Sequence, residues 1–175
     1  SGGSNVPVHK GTYDFPRFAA REQVVVVFIN YRLGPFGWFV HPALNGADLK
    51  TASLANLGTL DMVEALRWTQ RNITAFGGDR ANVTIFGESA GGRNVFSLLA
   101  SPASEGLFHR AIAQSGHVRS LTASEAHNAE REHPMVDRGS WEVVRELGLR
   151  NAAVDAETLR AVAMHDLLAA YFELD

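Results

Sequence analysis

The stretch Val83-Thr-Ile-Phe-Gly-Glu-Ser-Ala-Gly-Gly92 decides how the rest of the chain is read. Val83, Ile85 and Phe86 are β-branched or aromatic and suit a buried strand. Val95, Phe96, Leu98 and Leu99 follow at helix-like spacing, so the strand passes through a sharp turn straight into a helix. The turn carries Gly-x-Ser-x-Gly, with Gly87, Ser89 and Gly91. In that pattern the serine stands on a strained corner, and its hydroxyl points out at the carboxyl edge of a parallel sheet. Side chains at Gly87 and Gly91 would collide across the turn. The helix that begins at Ala90 aims its free N–H groups and its positive dipole end at the space above Ser89, which suits a developing oxyanion. Ser89 is therefore the candidate nucleophile and the Ala90 N–H a candidate oxyanion donor. The competing reading is a Gly/Ser-rich loop without chemistry. The strand before the turn and the helix after it argue against that.

Upstream, Phe18 to Arg21 reads as a short helical piece. Val24 to Asn30 is a continuous apolar run whose β-branching predicts a strand buried on both faces of a parallel sheet, with helices covering both sides. Gly34, Pro35 and Gly37 break the chain at its carboxyl end. Arg32 reads as half-buried and ion-paired. Trp38, Phe39 and His41 read as packing residues, with a place in an acyl or alcohol pocket as the alternative. Pro42 to Ser53 reads as a polar surface loop. Leu54 to Asn72 reads as a helix, because Met62, Ala65, Leu66, Thr69 and Ile73 recur at helical intervals and Phe76-Gly-Gly-Asp79 supplies stop signals. Asp61 and Arg67 on it are read as structural partners, not catalysts.

Downstream, the elbow helix runs to Ala100, and Ser101-Pro102 closes it. Ala111-Ile-Ala-Gln114 predicts a third short strand ending at Ser115-Gly116. Three strands alternating with helices define an α/β fold with a doubly wound parallel sheet, whose ligands bind at the strands' carboxyl ends. Gly34–Trp38, Ser89 and Ser115 all fall there. From Leu121 the composition shifts to Ala, Glu, Arg and His. Helices are expected over Ser124–Glu132 (ended by Pro134), Trp141–Leu147 (stopped by Gly148) and Asp155–Leu174. In the last, Leu159, Val162, Ala163, Leu167, Ala170, Tyr171 and Leu174 form an apolar stripe, and Asp155 is the N-cap. Two parts are thus expected, 1–120 around the sheet and 121–175 helical.

The chain has 175 residues, 46% hydrophobic and 20% charged, enough for one domain with a real core. Its net charge of −3 gives no footing for nucleic acid or an anionic membrane as partner. The absence of cysteine excludes disulfides, thiolate catalysis and cysteine–zinc sites, and leans towards a reducing, cytoplasmic compartment. Neither a signal peptide nor an apolar run long enough for a bilayer is visible. Asn72-Ile-Thr and Asn82-Val-Thr match glycosylation sequons and are read as incidental.

Beyond these patterns, Phe76-Gly-Gly-Asp-Arg-Ala-Asn-Val-Thr-Ile-Phe-Gly-Glu-Ser-Ala-Gly91 resembles, end to end, the active-site signature of the type-B carboxylesterases, an α/β-hydrolase family that includes the cholinesterases. Val25-Val-Val-Phe-Ile-Asn-Tyr-Arg-Leu-Gly34, Asn56-Leu-Gly-Thr-Leu-Asp61 with Ala65-Leu-Arg-Trp68, and Gly106-Leu-Phe-His-Arg-Ala-Ile-Ala-Gln-Ser-Gly116 resemble further blocks of it. The resemblance weakens after Gly116. It implies a partial α/β-hydrolase fold, with central parallel strands, flanking helices and the N- and C-terminal parts of the sheet absent. It makes 121–175 a lid-side insertion. It also implies a serine carboxylic-ester hydrolase acting on small-molecule esters through an acyl-enzyme, with no metal and no organic cofactor.

By the same resemblance Gly3 and Ser4 align with the glycine-rich loop that supplies oxyanion N–H groups. Here Ser1 stands where an aromatic or histidine is usual, and Ser4 replaces a glycine. Ser1-Gly-Gly-Ser4 also reads as a linker remnant. Glu88 is implied to be a buried carboxylate beside the catalytic histidine, and Ser115 a supporting hydroxyl near the catalytic acid. That histidine and acid are expected beyond this chain, which makes it an internal fragment. Serine needs a general base, and His117, just past a strand end, is the local rival for that role. The alternative function is a non-catalytic adhesion or interaction domain on the same fold.

Overall fold

The computed structural model describes residues 15–46, 55–118, 120–128, 139–149 and 154–172. Its elements, in chain order, are α1 (Phe15–Glu22), α2 (Gly34–Trp38), α3 (Pro42–Asn45), α4 (Leu57–Asn72), β1 (Thr84–Glu88), α5 (Ala90–Ala100), β2 (Arg110–Gln114), α6 (Ala123–His127), α7 (Ser140–Glu146), α8 (Ala156–Ala161) and α9 (Met164–Phe172). They form two compact units. The first takes its described residues from 15–33 and 58–118, the second from 34–46, 55–57 and 120–172.

In the first unit β1 and β2 pair in parallel, from Thr84 opposite Arg110 to Glu88 opposite Gln114. Parallel strands cannot be joined by a tight hairpin, and here α5 supplies the crossover. Ile85 and Gly87 alternate onto the buried face of β1, while Thr84 and Phe86 face the other way. On the buried side Ile85 meets Val95 and Leu98 of α5 and Met62 and Val63 of α4; Ile29, Tyr31, Leu66 and Phe108 close the cluster. Val63, only 1% exposed, contributes about 1.5–3 kcal/mol by leaving water. The α4 helix ends in a 3-10 turn over Ile73–Phe76. Gly77, at φ 82°, then donates its N–H to the Ile73 and Thr74 carbonyls.

The Val24–Asn30 run is not the strand its composition predicts. It carries no sheet ladder, and the sheet has two strands among the described residues. Val24, Val25, Val27 and Phe28 stay 39–47% exposed. Apolar, β-branched side chains suit a strand, but the strand itself is made by backbone bonds to a neighbour. The ladder of β1 is with β2. Ile29 and Tyr31 still pack on the core, and Phe28 meets Phe15 of α1 with ring centroids 5.3 Å apart.

In the second unit Val40, Val143, Val144 and Ala170 are buried. Residues expected as loop at Pro42 form the single turn α3, with Pro42 at its start and His41 as N-cap, its Nδ1 accepting the Ala43 N–H. Residues 47–53 of that loop lie outside the described residues. A capping box of Thr122 and Glu125 starts α6. The helix expected over Ser124–Glu132 stops at His127, with Asn128 left-handed at φ 50°; Glu132 and Pro134 lie outside the described residues. Gly148, at φ 77°, follows α7.

The single helix expected over Asp155–Leu174 is two. Asp155 caps the first as predicted, its Oδ1 accepting the Thr158 N–H over 2.7 Å. The backbone then leaves the helix at Val162 (φ −61°, ψ 125°). The apolar stripe continues in step across the gap, and neither proline nor glycine marks the break. A stripe reports which face is buried, not whether the hydrogen-bond ladder is continuous. Leu174 lies outside the described residues.

Candidate active site

Ser89 belongs to strand and helix at once. Its N–H donates to the Gln114 carbonyl over 2.9 Å, carrying the ladder one residue past β1. Its own carbonyl accepts the Arg93 N–H over 3.0 Å, the first bond of the helix. Meeting both demands puts its backbone at φ 52°, ψ −112°, sparsely populated for a residue with a Cβ and about 1–3 kcal/mol uphill. Two backbone contacts hold it there. A Cβ on Gly87 would stand 2.4 Å from the Gly91 carbonyl, and a Cβ on Gly92 2.9 Å from both the Gln114 oxygen and the Gly116 Cα. The first turn of α5 therefore lies directly on the sheet's carboxyl edge. Its buried Ala90 offers a free-ended N–H beside the half-buried Ser89.

The register sets Ser115 beside the same edge. Glu88 pairs with Gln114, so Ser89 and Ser115 are the next residues on adjacent strands, and both have positive φ (52° and 50°). Ser115 is exposed. Glu88 was expected to be buried and is half-buried. Strand alternation puts it opposite Gly87, on the side where Phe86 is 49% exposed. Gly3 and Ser4 lie outside the described residues. No hydrogen bond joins Ser89 to His117, which is exposed. Gly34–Trp38, expected at a strand's carboxyl end, is the one-turn α2 of the second unit and follows a run that forms no strand. Trp38, Phe39 and His41 belong to that unit too, and His41 is packed edge-on against His127, centroids 5.1 Å apart. Among the described residues, no group of three or more His, Asp or Glu side chains could hold a metal ion, and no helix is long and apolar enough to cross a membrane.

Elsewhere in the first unit, Arg32 grips Asp61 with its own N–H (2.9 Å), Nε (2.8 Å) and Nη2 (2.7 Å). Those guanidinium hydrogen bonds hold the Asp61 carboxyl below its ordinary range. Arg67 and Arg71 instead share Glu64. Asn94 of α5 donates from Nδ2 to the Tyr31 hydroxyl over 2.8 Å. Arg32 is ion-paired as expected but exposed, not half-buried. Asp61, expected to partner Arg67, pairs with Arg32 instead, because Glu64, three residues before Arg67 on the same helix face, takes that arginine. The Tyr31–Asn94 contact was not foreseen. The polar head on Tyr31, two residues after the apolar run that ends at Ile29, was the available signal.

A parallel strand that stops at a strained serine and turns into a glycine-packed helix is the nucleophile elbow of the α/β-hydrolases, and this chain has that fold in part. It belongs to the carboxylesterase family: the profile described as "Carboxylesterase family" matches residues 1–174. The para-nitrobenzyl esterase of Bacillus subtilis (strain 168) is 42% identical over 162 residues, covering 93% of this chain and 30% of that protein. The human cocaine esterase is 51% identical over 126 residues, covering 65% of this chain and 21% of its own length. Among solved structures, a carboxylesterase of Geobacillus stearothermophilus superposes with a TM-score of 0.78 at 38% identity, covering 99% of this chain and 35% of that one. A PNB esterase gives 0.77 at 38% identity, covering 99% and 34%. The chain thus spans about a third or less of the length of these relatives.

Proposed function

We propose that the protein is a serine carboxylic-ester hydrolase. The observation that carries this reading is the backbone of Ser89 at φ 52°, held by the Gly87–Gly91 contact at the mouth of α5. A loop serine without chemical duty has no reason to bear that strain. Ser89 Oγ attacks the ester carbonyl and gives its proton to a general base; the carbonyl–alkoxy bond breaks and the alcohol leaves with that proton. Water then attacks the acyl-enzyme, releasing the acid and restoring the Ser89 hydroxyl. The Ala90 N–H, joined by those of Gly3 and Ser4, holds the oxyanion, each donor being worth about 3 kcal/mol in the transition state.

The family resemblance assigns the base, a histidine, and its carboxylate to segments beyond this chain. Glu88 stands beside that histidine and Ser115 near the acid. Residues 121–175 are the lid-side insertion, and the segment 34–46 folds with them. The same strained, intact elbow favours hydrolysis over an adhesion role, which needs no nucleophile.

The test is hydrolysis of p-nitrophenyl butyrate by the whole protein, with fluorophosphonate labelling alongside. Both activities should vanish in Ser89→Ala. Hydrolysis that survives that change would overturn the assignment.

A further inference from the structure

The glycine contacts at the elbow set how closely α5 approaches the sheet, but not how the helix is turned about its own axis. One polar contact restrains that turn. Asn94 Nδ2 donates to the Tyr31 hydroxyl over 2.8 Å, and Asn94 lies four residues after Ala90, on the same face of α5. Tyr31 is itself held from two sides. Its ring packs on the cluster of Met62, Val63, Ile85, Val95 and Leu98, and its neighbour Arg32 is gripped by Asp61 of α4 through three hydrogen bonds. Burial pushes the Tyr31 phenol's pKa up, against the Asn94 hydrogen bond, so the hydroxyl stays protonated and neutral at physiological pH.

We infer that Tyr31 and Asn94 are a positioning pair: their hydrogen bond sets the rotation of α5 and so aims the Ala90 N–H at the oxyanion formed on Ser89. The inference rests on the hydrolase reading above. Neither residue touches the reacting atoms. Misaim of an oxyanion donor weakens an interaction made only in the transition state, so it lowers kcat and leaves KM in place. A neutral hydrogen bond is worth about 3- to 10-fold in rate.

The experiment measures p-nitrophenyl butyrate kinetics on the whole protein for the parent, Tyr31→Phe, Asn94→Ala and the double variant. Each kcat is divided by the Ser89 sites titrated with a fluorophosphonate, which removes any misfolded fraction. Each single variant should lose about 3- to 10-fold in kcat with KM within about twofold, and the double variant should lose no more than the worse single one. Single-variant kcat values within twofold of the parent, or losses that multiply in the double variant, would overturn the pair. A Ser89→Ala control separates the two claims. If it leaves hydrolysis intact, the hydrolase reading and this inference fall together. If it abolishes hydrolysis and Tyr31→Phe is silent, this inference alone falls.

Discussion

Gly87 and Gly91 lie backbone against backbone: a Cβ added at Gly87 would stand 2.4 Å from both the carbonyl carbon and the oxygen of Gly91. No rotamer relieves that contact, because Cβ itself is the clashing atom. Gly87→Ala must therefore push the first turn of α5 away from β1. Stability should fall by roughly 1–3 kcal/mol, as in overpacked cores. Fluorophosphonate labelling of Ser89 should fall further than the folded fraction does, since the corner is displaced even where the chain folds. Urea unfolding beside labelling checks both. Wild-type labelling in a folded Gly87→Ala protein would show that the contact does not shape the site.

The Arg32–Asp61 pair joins the segment before α2 to α4, and Asp61 is the member whose titration can be followed. Its folded carboxyl lies below the ordinary value of 3.8, so the pair stabilises the fold above that pH and loses this contribution as pH falls through the folded value. Asp61→Asn should unfold at lower urea than the parent at pH 7, and the gap should narrow as pH drops below about 4. A gap that stays constant with pH would mean the variant acts through shape and not charge.

His41 and His127 stand in the opposite regime. His41 Nδ1 accepts the Ala43 N–H, and His127 Nδ1 pairs with Ser140 Oγ over 2.8 Å while that hydroxyl donates to the Val40 carbonyl. Burial lowers both imidazole pKa values below 6.5, and His127 lowers that of His41 further. Both rings are thus neutral in the fold and take up protons more readily in the unfolded chain. Their contribution is complete above about pH 6.5 and is lost as pH falls from there towards the folded values. Unfolding of the second unit, followed by Trp38 and Trp141 fluorescence, should become easier between pH 7 and 5. His127→Gln should flatten that dependence. An equally steep profile in the variant would assign it to other groups.

Met62 is 3% exposed at the centre of the first unit's core. Met62→Ala removes its contacts with the cluster around Ile85 and Val95 and should lower stability by about 2–5 kcal/mol. The change leaves the backbone of the elbow alone, so kcat per labelled Ser89 should stay near the parent value at temperatures where the variant is folded. A large drop in that ratio would couple the core to the site more tightly than packing alone does.

The elbow was legible in the sequence because its physics is local. Strand formers, two glycines around Ser89 and a helical period all fall between Val83 and Leu99, and steric exclusion leaves such a stretch few shapes. The Asp155 cap and the end of α4 at Asn72 were legible for the same reason; the start of α4, expected at Leu54, falls at Leu57. Decisions that need a distant partner were not. The Val24–Asn30 run has the composition of a strand, but composition supplies no neighbouring edge. The period of the last helical stretch survives a break at Val162, because burial is periodic on both sides of it. Arg32 and Asp61 are 29 residues apart, and Tyr31 and Asn94 are 63 apart. Residues 34–46 group with the helices after Ser120 and not with the segment up to Leu33 that they directly follow in sequence. By itself the sequence determined where the candidate nucleophile is and why its corner must be glycine-built. Only the tertiary structure decided which remote groups meet around that corner, because the Gln114 carbonyl reaches Ser89, Asn94 reaches Tyr31 and Asp61 reaches Arg32 within 3 Å only once the core has packed.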